Sequence, residues 1–182
     1  SQTFGHEASA LISEQFIPQE LKASYDSLIQ DVMQAVDETI ANTGAVEYIR
    51  VHGDCHSGNI LWRDDNAHFV DFDDARTAPA IQDVYMLLTG DDPYQKSLQA
   101  SEIIEGYSEF REFDITELKL IEALRTLRML HHSAWLAKRW QDPAFPMAFP
   151  WFNTQRYWEE HILELREQLF FLSEPSLVLP NT

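Results

Sequence analysis

The segment VHGDCHSGNILW at 51–62, followed by HFVDFDDA at 68–75, constrains this chain more than any other part of it. It places Asp54 and Asp71 in short turns flanked by apolar, strand-like runs, with Asn59 between them. Polar side chains fixed at strand ends are typical of functional sites. Phosphoryl transfer from a metal-bound nucleotide uses these groups. One carboxylate accepts the proton of the acceptor hydroxyl, while an Asn and a second carboxylate hold Mg²⁺. The segment therefore predicts a phosphoryl-transfer site beside a β-hairpin.

Each of the three residues has a candidate role and a plainer alternative. Asp54 is the candidate general base, or the group that orients the attacking hydroxyl, because a loose transition state asks for positioning more than for basicity. Asn59 is a candidate Mg²⁺ ligand through its amide oxygen, and its NH₂ group is placed to hold the loop to Asp54. Asp71 is the second carboxylate. Asp and Asn also form turns for structural reasons, but three such groups at these spacings favour phosphoryl transfer.

The loop from His52 to Asn59 has the spacing of known catalytic loops. Its spacing from Asp54 to Asn59 is that of the H-R-D-x-x-x-x-N loop of protein kinases, with Gly53 at the Arg position. It more closely resembles the aminoglycoside phosphotransferase and choline kinase branch of the kinase-like fold, whose loop reads H-G-D-x-H-x-G-N. The matching residues are His52, Gly53, Asp54, His56, Gly58 and Asn59. The similarity continues through residues 75–88, 120–130 and 134–151.

This resemblance implies the C-terminal lobe of the protein-kinase-like fold: α+β, mainly α, with a small β-hairpin at the active site. It also implies ATP as co-substrate and Mg²⁺ held by Asn59 and Asp71. Asp71 stands where kinases carry the D-F-G aspartate, which makes it a catalytic residue together with Asp54. Asp73 replaces the Gly of that motif and either ligates a second metal or lies behind the first. His56 either binds the transferred phosphoryl group, as a cofactor-binding residue alongside Asn59, or holds the loop backbone.

Neighbouring residues are expected to support the loop. His52 is expected to pack beneath it, and Cys55 to be a buried, inert thiol. Asp83 begins the next helix, and the resemblance implies that it holds the backbone of the catalytic loop. A group of aromatic residues is expected to be core, with a pocket for a cationic acceptor as the alternative for part of it. These are Trp135, Trp140, Phe145, Phe149, Trp151, Phe152 and Trp158.

The start of the chain departs from the pattern of a whole kinase. The first 45 residues contain no G-x-G-x-x-G and have helical, not strand-rich, periodicity. We therefore expect residues 19–182 to be a C-terminal lobe, and residues 1–18 to be a tail or a remnant of the hinge between lobes. The N-terminal lobe, which carries the nucleotide roof and a phosphate-binding Lys, is an expected partner. Without it, this lobe is expected to be inactive.

Periodicity and turn residues predict the remaining elements. Apolar residues at helical spacing predict a helix from Pro18 that stops at Gly44. Strands are predicted at 46–51, 59–62 and 68–72, with a turn at 64–66. Helices are predicted at 80–89, 94–111, 115–140 and 154–172, and an ordered connector at 142–152.

The chain is strongly acidic, with a formal net charge of −17 from 30 acidic and 13 basic residues. Phosphate contacts need Lys and Arg, so nucleic acid is not an expected partner. The same charge repels ATP and attracts a cationic acceptor, unless it serves solubility alone. No run approaches the ~20 apolar residues of a membrane span, and no signal segment is recognisable. With a single cysteine, which excludes an internal disulfide, these features favour a cytoplasmic protein.

Three functions follow from these observations. The first is an ATP- and Mg²⁺-dependent kinase. Resemblance to protein kinases within this branch implies a protein Ser or Thr as acceptor, with aminoglycosides, choline or similar small molecules as the alternative. The second is a non-catalytic lobe that binds a partner. The third is a metal-dependent hydrolase that uses Asp71, Asp73 and Asp74.

Overall fold

The structure is a computed structural model that describes residues 2–90 and 92–180. Cα positions divide the chain into two compact units, residues 1–42 with 122–174 and residues 43–121 with 175–182. The α-helices are α1 (Gln2–Gln15), α2 (Gln19–Thr43), α3 (Ile81–Val84), α4 (Pro93–Ser108), α5 (Ile121–Arg139), α6 (Ala144–Ala148) and α7 (Gln155–Ser173). The strands are β1 (Ile49–Val51), β2 (Ile60–Arg63), β3 (Asn66–Phe69) and β4 (Arg76–Ala78). The mainly helical architecture with a small hairpin is as the sequence predicts.

The first unit is a group of helices around one apolar core. Helix α2 contributes the stripe that its periodicity predicts, and the buried residues are Tyr25, Leu28, Ile29, Val32, Met33 and Val36. The helix ends at Thr43, and Gly44 follows with a φ of 82°, which is the predicted stop. The apolar spacing of α2 therefore predicts the face that it buries between Tyr25 and Val36.

The aromatic residues of this unit mostly belong to its core. Phe152 and Trp158 are fully buried, whereas Trp151 is 46% exposed. The others are partly buried against the core: Trp135, Trp140, Phe145 and Phe149. Helix α6 lies within the connector predicted at 142–152, and the expectation of an ordered segment is confirmed.

The first residues are not the fraying tail that the sequence suggests. Residues 2–15 form helix α1, in which Ala8 and Ile12 are completely buried. A Cβ at Gly5 would press on Leu127 and Met33, so this helix packs closely against its neighbours. Small and polar residues dilute its apolar stripe, and for that reason the periodicity does not stand out. A link between residues 1–18 and an interlobe hinge stays a prediction, as does the assignment of residues 19–182 to one lobe.

The second unit contains two two-stranded antiparallel sheets. Strands β2 and β3 form the predicted hairpin, in register from Ile60 opposite Phe69 to Arg63 opposite Asn66. Asp64 and Asp65 at its turn have φ values of 51° and 59°, as a two-residue hairpin turn of mirror-image type requires.

Strand β1 pairs with β4, which the sequence analysis missed. The run that forms β4, Arg-Thr-Ala, is too short to show an alternating pattern. The strand predicted at 68–72 ends instead at Phe69, because Asp71 has left the extended conformation.

The helices of the second unit lie close to their predicted positions. Residues 81–87 form α3 and a 3₁₀ turn, and α4 covers most of 94–111. The start of the helix predicted at 115–140 is a 3₁₀ helix over Ile115–Leu120, and the rest of that prediction corresponds to α5, which belongs to the first unit from residue 122. Asp92 and Asp114 cap α4 and the 3₁₀ helix by accepting backbone N–H groups at 2.9 Å. None of the helices in the described part of the chain has the length and apolarity needed to cross a membrane.

Candidate active site

The loop predicted to be catalytic begins at the end of β1, and the carboxylate of Asp83 binds its backbone. The backbone N–H groups of His52 and Gly53 donate to the two carboxylate oxygens of Asp83, at 2.7 and 2.8 Å. Asp83 lies on α3, so this short helix fixes the start of the loop. The role that the resemblance implies for Asp83 matches this geometry. A carboxylate that accepts two backbone N–H groups is strongly bound, because both hydrogen bonds are charge-assisted.

His52 has the structural position expected of it. It is buried, its Nε2 donates to the carbonyl of Val70 at 2.8 Å, and its Nδ1 accepts the N–H of Asp54 at 3.3 Å. Its ring also contacts that of Phe72, with centroids 4.7 Å apart. His52 therefore joins the catalytic loop to the segment on either side of Asp71.

Gly53 cannot be replaced without moving its surroundings. Its φ is 86°, which L side chains rarely adopt, and a Cβ there would collide with the carbonyl oxygen of Asp74. A glycine is therefore needed at this position because the backbone of residues 74–76 lies directly against the loop.

Asp54 and Asn59 are brought together as predicted. The Nδ2 of Asn59 donates to the backbone carbonyl of Asp54 at 3.0 Å and approaches its Oδ2 at 3.4 Å. Asn59 is buried, and the side chain of Asp54 is 20% exposed. Since the NH₂ group is directed to Asp54, the amide oxygen of Asn59 is on the other side of the amide group from these contacts, and its role as a metal ligand stays a prediction.

Asp71 lies next to Asn59 across the hairpin ladder. The N–H of Val70 donates to the carbonyl of Asn59 at 3.0 Å, which extends the register of β2 and β3 by one pair. Asp71 follows directly, is exposed, and has a φ of 64°. Left-handed backbone at a non-glycine residue is a strained conformation that recurs at functional sites.

His56 contacts the loop backbone, which is one of the two roles considered for it, and binding of the phosphoryl group stays a prediction. Its Nδ1 accepts the N–H of Gly58 at 3.0 Å, and its Nε2 lies 3.5 Å from Oδ2 of Asp54. A Cβ at Gly58 would lie 2.8 Å from the imidazole, so the glycine makes room for the ring. Because Nδ1 accepts the hydrogen bond from Gly58, Nε2 is the ring nitrogen that carries a proton, and it is directed to Asp54.

Cys55 is buried within the loop. Burial raises the pKa of its thiol to about 11, and the nearby carboxylates of Asp83 and Asp54 add to the effect. A thiol with this pKa stays protonated at neutral pH and reacts slowly. The expectation of an inert cysteine agrees with this environment.

The acidic run after Asp71 does not form a conventional metal centre. Within residues 2–90 and 92–180, no three His, Cys, Asp or Glu side chains are arranged to hold a metal ion. Asp73 and Asp74 are exposed, and the chain turns there through a hydrogen bond from the N–H of Ala75 to the carbonyl of Phe72. A site made from one amide, one carboxylate, waters and phosphates needs no such cluster. Whether Asp73 binds a second metal stays open.

Two residues near the loop were missed by the sequence analysis. Arg76 donates from Nη2 to the carbonyl of Gly53 at 3.1 Å. Glu117 is buried, and it accepts the N–H of Ile81 at 2.9 Å at the start of α3. Both lie outside the loop motif and are distant from Asp54 in sequence or on other elements, so no local pattern identifies them.

Comparison with known proteins agrees with this arrangement. The family model described as "Phosphotransferase enzyme family" matches residues 5–121, which is more than half of the chain. The chain belongs to this phosphotransferase family. The predicted resemblance is therefore confirmed, and the loop from His52 to Asn59 lies inside the matched region.

Relatives within the phosphotransferase family are much longer than this chain. Stress response kinase A of Escherichia coli (strain K12) is 48% identical over 168 residues, covering 90% of this chain and 48% of the relative. The serine/threonine protein kinase RdoA of Salmonella typhimurium (strain LT2) is 47% identical over 163 residues with the same coverage. The chain thus spans about half the length of these relatives.

A solved phosphotransferase structure shares the fold. The amicoumacin kinase hAmiN, in complex with AMP-PNP, Ca²⁺ and Ami, superposes with a TM-score of 0.52 and 21% identity. The match covers 85% of this chain and 48% of that one. The predicted fold class, a C-terminal lobe of the kinase-like fold, is confirmed by this match.

Proposed function

We propose that this chain is the catalytic lobe of an ATP- and Mg²⁺-dependent kinase that transfers the γ-phosphoryl group to an alcohol. The observation that carries the proposal is the position of Asn59. Its NH₂ group is bonded to Asp54, and its backbone carbonyl is bonded to the residue before Asp71. Asn59 thus contacts Asp54 through its side chain and faces the residue before Asp71 through its backbone, which is the set of groups that metal-assisted phosphoryl transfer uses.

In this proposal Asp54 accepts a hydrogen bond, and then the proton, from the hydroxyl group of the acceptor. Its carboxylate is partly exposed at the loop surface, so an alcohol has access to it. Its direction is fixed by the hydrogen bond that Asn59 donates to Asp54 and by the one that Asp83 accepts from the preceding backbone. In a loose transition state the nucleophile needs orientation toward phosphorus, and the proton passes to the carboxylate as the O–P bond forms.

The residues present fit a magnesium ion and its nucleotide. The amide oxygen of Asn59 and the carboxylate of Asp71 would hold Mg²⁺, since both are the hard oxygen ligands that it prefers. When bound, such an ion would supply positive charge against the phosphates. The Nε2 proton of His56 lies at the edge of Asp54, where it donates a hydrogen bond to an oxygen of the transferred group.

The acceptor is a Ser or Thr side chain of a protein. Two relatives, at 48% and 47% identity, are named as a stress response kinase and a serine/threonine protein kinase. A net charge of −17 favours a basic segment around the acceptor residue. A small-molecule acceptor is the second candidate, because the structural neighbour at 21% identity is an amicoumacin kinase.

An N-terminal nucleotide-binding lobe is the proposed partner. The β2–β3 hairpin beside the site exposes large apolar side chains, with Trp62 at 74%, Leu61 at 54% and Phe69 at 46%. A two-stranded hairpin is marginally stable alone, and an exposed apolar patch of this kind favours a covering surface. That lobe would also supply the phosphate-binding Lys, so the 182-residue chain by itself should turn over ATP negligibly.

Phosphotransfer from ATP tests the proposal when the chain is joined to its nucleotide-binding lobe. Replacement of Asp54 by Asn or of Asn59 by Ala should lower kcat by roughly a hundredfold or more. The matched control is Asp65→Asn at the exposed hairpin turn, which should leave kcat unchanged. Wild-type turnover in the Asp54→Asn variant would contradict the assignment. A basic Ser-containing peptide and an aminoglycoside, offered side by side, separate the two acceptor classes.

The same assay separates a kinase from the hydrolase that the acidic run suggested. A kinase should lose metal–nucleotide binding with Asn59→Ala and tolerate Asp73→Ala better. A hydrolase centred on Asp71, Asp73 and Asp74 should show the reverse order. Full ATP turnover by the 182-residue chain alone would contradict the need for a second lobe.

A further inference from the structure

The backbone of Gly53, directly before Asp54, is held from both sides by the side chains of Asp83 and Arg76. On one side the N–H of Gly53 donates to Asp83 at 2.8 Å. On the other, the carbonyl of Gly53 accepts from Nη2 of Arg76 at 3.1 Å. The second contact comes from a different element, β4, where Arg76 pairs with Val51 at the end of β1. The guanidinium therefore reaches over the start of the loop from the neighbouring strand.

The absence of a side chain at Gly53 makes this contact possible. A Cβ there would meet the carbonyl oxygen of Asp74 and lie 3.5 Å from Nε of Arg76. Residues 74–76 consequently contact the backbone at Gly53 directly, and the guanidinium of Arg76 lies beside that glycine. Where the protein-kinase pattern has an Arg within the loop, this chain brings one in from β4.

We propose that Arg76 is a positioning residue for Asp54. Its donor fixes the plane of the peptide that joins Gly53 to Asp54, and so fixes the direction in which the Asp54 carboxylate leaves the backbone. A guanidinium suits this task because it stays charged at all working pH values and its donors have a rigid planar geometry. The effect of Arg76 on catalysis rests on the kinase function proposed above. Its effect on the orientation of the Gly53–Asp54 peptide is independent of that function.

Arg76 also connects the two carboxylates of the site. It lies at the end of the segment that begins at Asp71, and that segment turns through the hydrogen bond between Ala75 and Phe72. His52 contacts the same segment through Val70 and Phe72. A shift of the Asp71 segment is thus transmitted to the Asp54 peptide by a charged hydrogen bond at one end and a buried imidazole at the other.

The peptide itself is tested by NMR on the 182-residue protein. Replacement by Arg76→Gln, which is too short to reach, and Arg76→Lys, which keeps the charge, should both move the carbonyl carbon of Gly53 and the amide of Asp54. The matched control is Arg63→Gln, because Arg63 is also exposed and its side chain pairs with the adjacent Asp64. Unchanged resonances of Ala100 and Ile104, which are buried in helix α4 of the second unit, establish that each variant is folded. Shifts at Gly53 and Asp54 no larger than in the Arg63→Gln control overturn the proposal.

Kinetics of the chain joined to its nucleotide-binding lobe test the catalytic consequence. Arg76→Gln should lower kcat by roughly ten- to a hundredfold, with Arg76→Lys intermediate and the KM for ATP nearly unchanged. A loss of ATP affinity with unchanged kcat overturns the positioning role. If the NMR shifts appear but neither the wild type nor any variant transfers phosphate, the kinase proposal fails and the Arg76 contact stands. If the wild type is active and Arg76→Gln has the same kcat, only the positioning role fails.

Discussion

Gly53 is the residue at which sequence and geometry constrain each other most tightly. Its positive φ and the nearby carbonyl of Asp74 both oppose a side chain. We expect Gly53→Ala to lower the free energy of unfolding by about 2 kcal/mol or more, since strain and overlap act together. Urea denaturation measures the effect.

The control for that change is Gly106→Ala in helix α4. A Cβ at Gly106 meets no atom within 4 Å, and its φ is not positive. Here the substitution should stabilise by roughly 0.5–1 kcal/mol, because Ala loses less backbone entropy in a helix. Equal effects of the two substitutions would contradict the special geometry of Gly53.

His161 makes the stability of the first unit depend on pH. Burial lowers its pKa from 6.5 to about 4, and nearby His132 adds to the shift. A base with a lowered folded-state pKa binds fewer protons when folded, so its contribution is complete above pH 6.5 and is lost as the pH falls toward 4.

The expected loss across that range is about 3 kcal/mol at most, from roughly 1.4 kcal/mol for each pKa unit. Unfolding in urea at several pH values should show a steeper fall for the wild type than for His161→Phe, whose ring cannot be protonated. Carboxyl groups titrate in both proteins, so the difference between them isolates His161. Parallel pH profiles would contradict the assignment.

At the scale of elements, helix α3 transmits support from Glu117 to the catalytic loop. Glu117 accepts the first N–H of α3, and Asp83 on the same helix holds the backbone of His52 and Gly53. Glu117→Ala should cost about 1–3 kcal/mol, because it leaves a buried N–H of Ile81 without its acceptor. Thermal or urea unfolding measures this.

Glu117→Gln is the matched variant, since its amide oxygen can accept the same N–H. Burial raises the pKa of Glu117, so the folded state holds a proton on this group more tightly than the unfolded chain does. The native carboxylate is therefore destabilising above its ordinary pKa, and Glu117→Gln should tolerate neutral pH at least as well as the wild type. A Gln variant as unstable as the Ala variant would show that the charge itself is needed.

Elements with a strong local pattern could be predicted from the sequence. Helix α2 followed from its apolar spacing, and the hairpin from alternating runs around Asp64 and Asp65. Helix α1 and strand β4 could not be foreseen, because one has a diluted apolar stripe and the other is three residues long. Their structure comes from partners distant in sequence, which periodicity does not report.

The site divides in the same way. Asp54, Asn59 and Asp71 lie in one continuous segment with a fixed spacing, and the structure places them around a single ladder end. Arg76 and Glu117 act through backbone groups of other elements. Both lie outside the loop motif and contact main-chain atoms, so no pattern of side chains around Asp54 identifies them.

At the scale of the whole molecule, charge is the dominant property. A net charge of −17 produces self-repulsion in the compact state, which added salt screens. The free energy of unfolding should therefore rise between about 0.01 and 0.5 M NaCl, where the Debye length shortens several-fold. A fall in stability with NaCl would mean that favourable ion pairs outweigh the repulsion.

The central claim is that Asn59 and Asp71 hold a divalent cation and its nucleotide beside Asp54. Its most direct test is paramagnetic broadening of NMR resonances when Mn²⁺ and a non-hydrolysable ATP analogue are added to the chain joined to its nucleotide-binding lobe. The account predicts that Asn59 and Asp71 broaden first, Asp54 next, and that Asn59→Ala abolishes this order. Equal or earlier broadening at Asp64 and Asp65, the exposed acids at the far end of the hairpin, would contradict it.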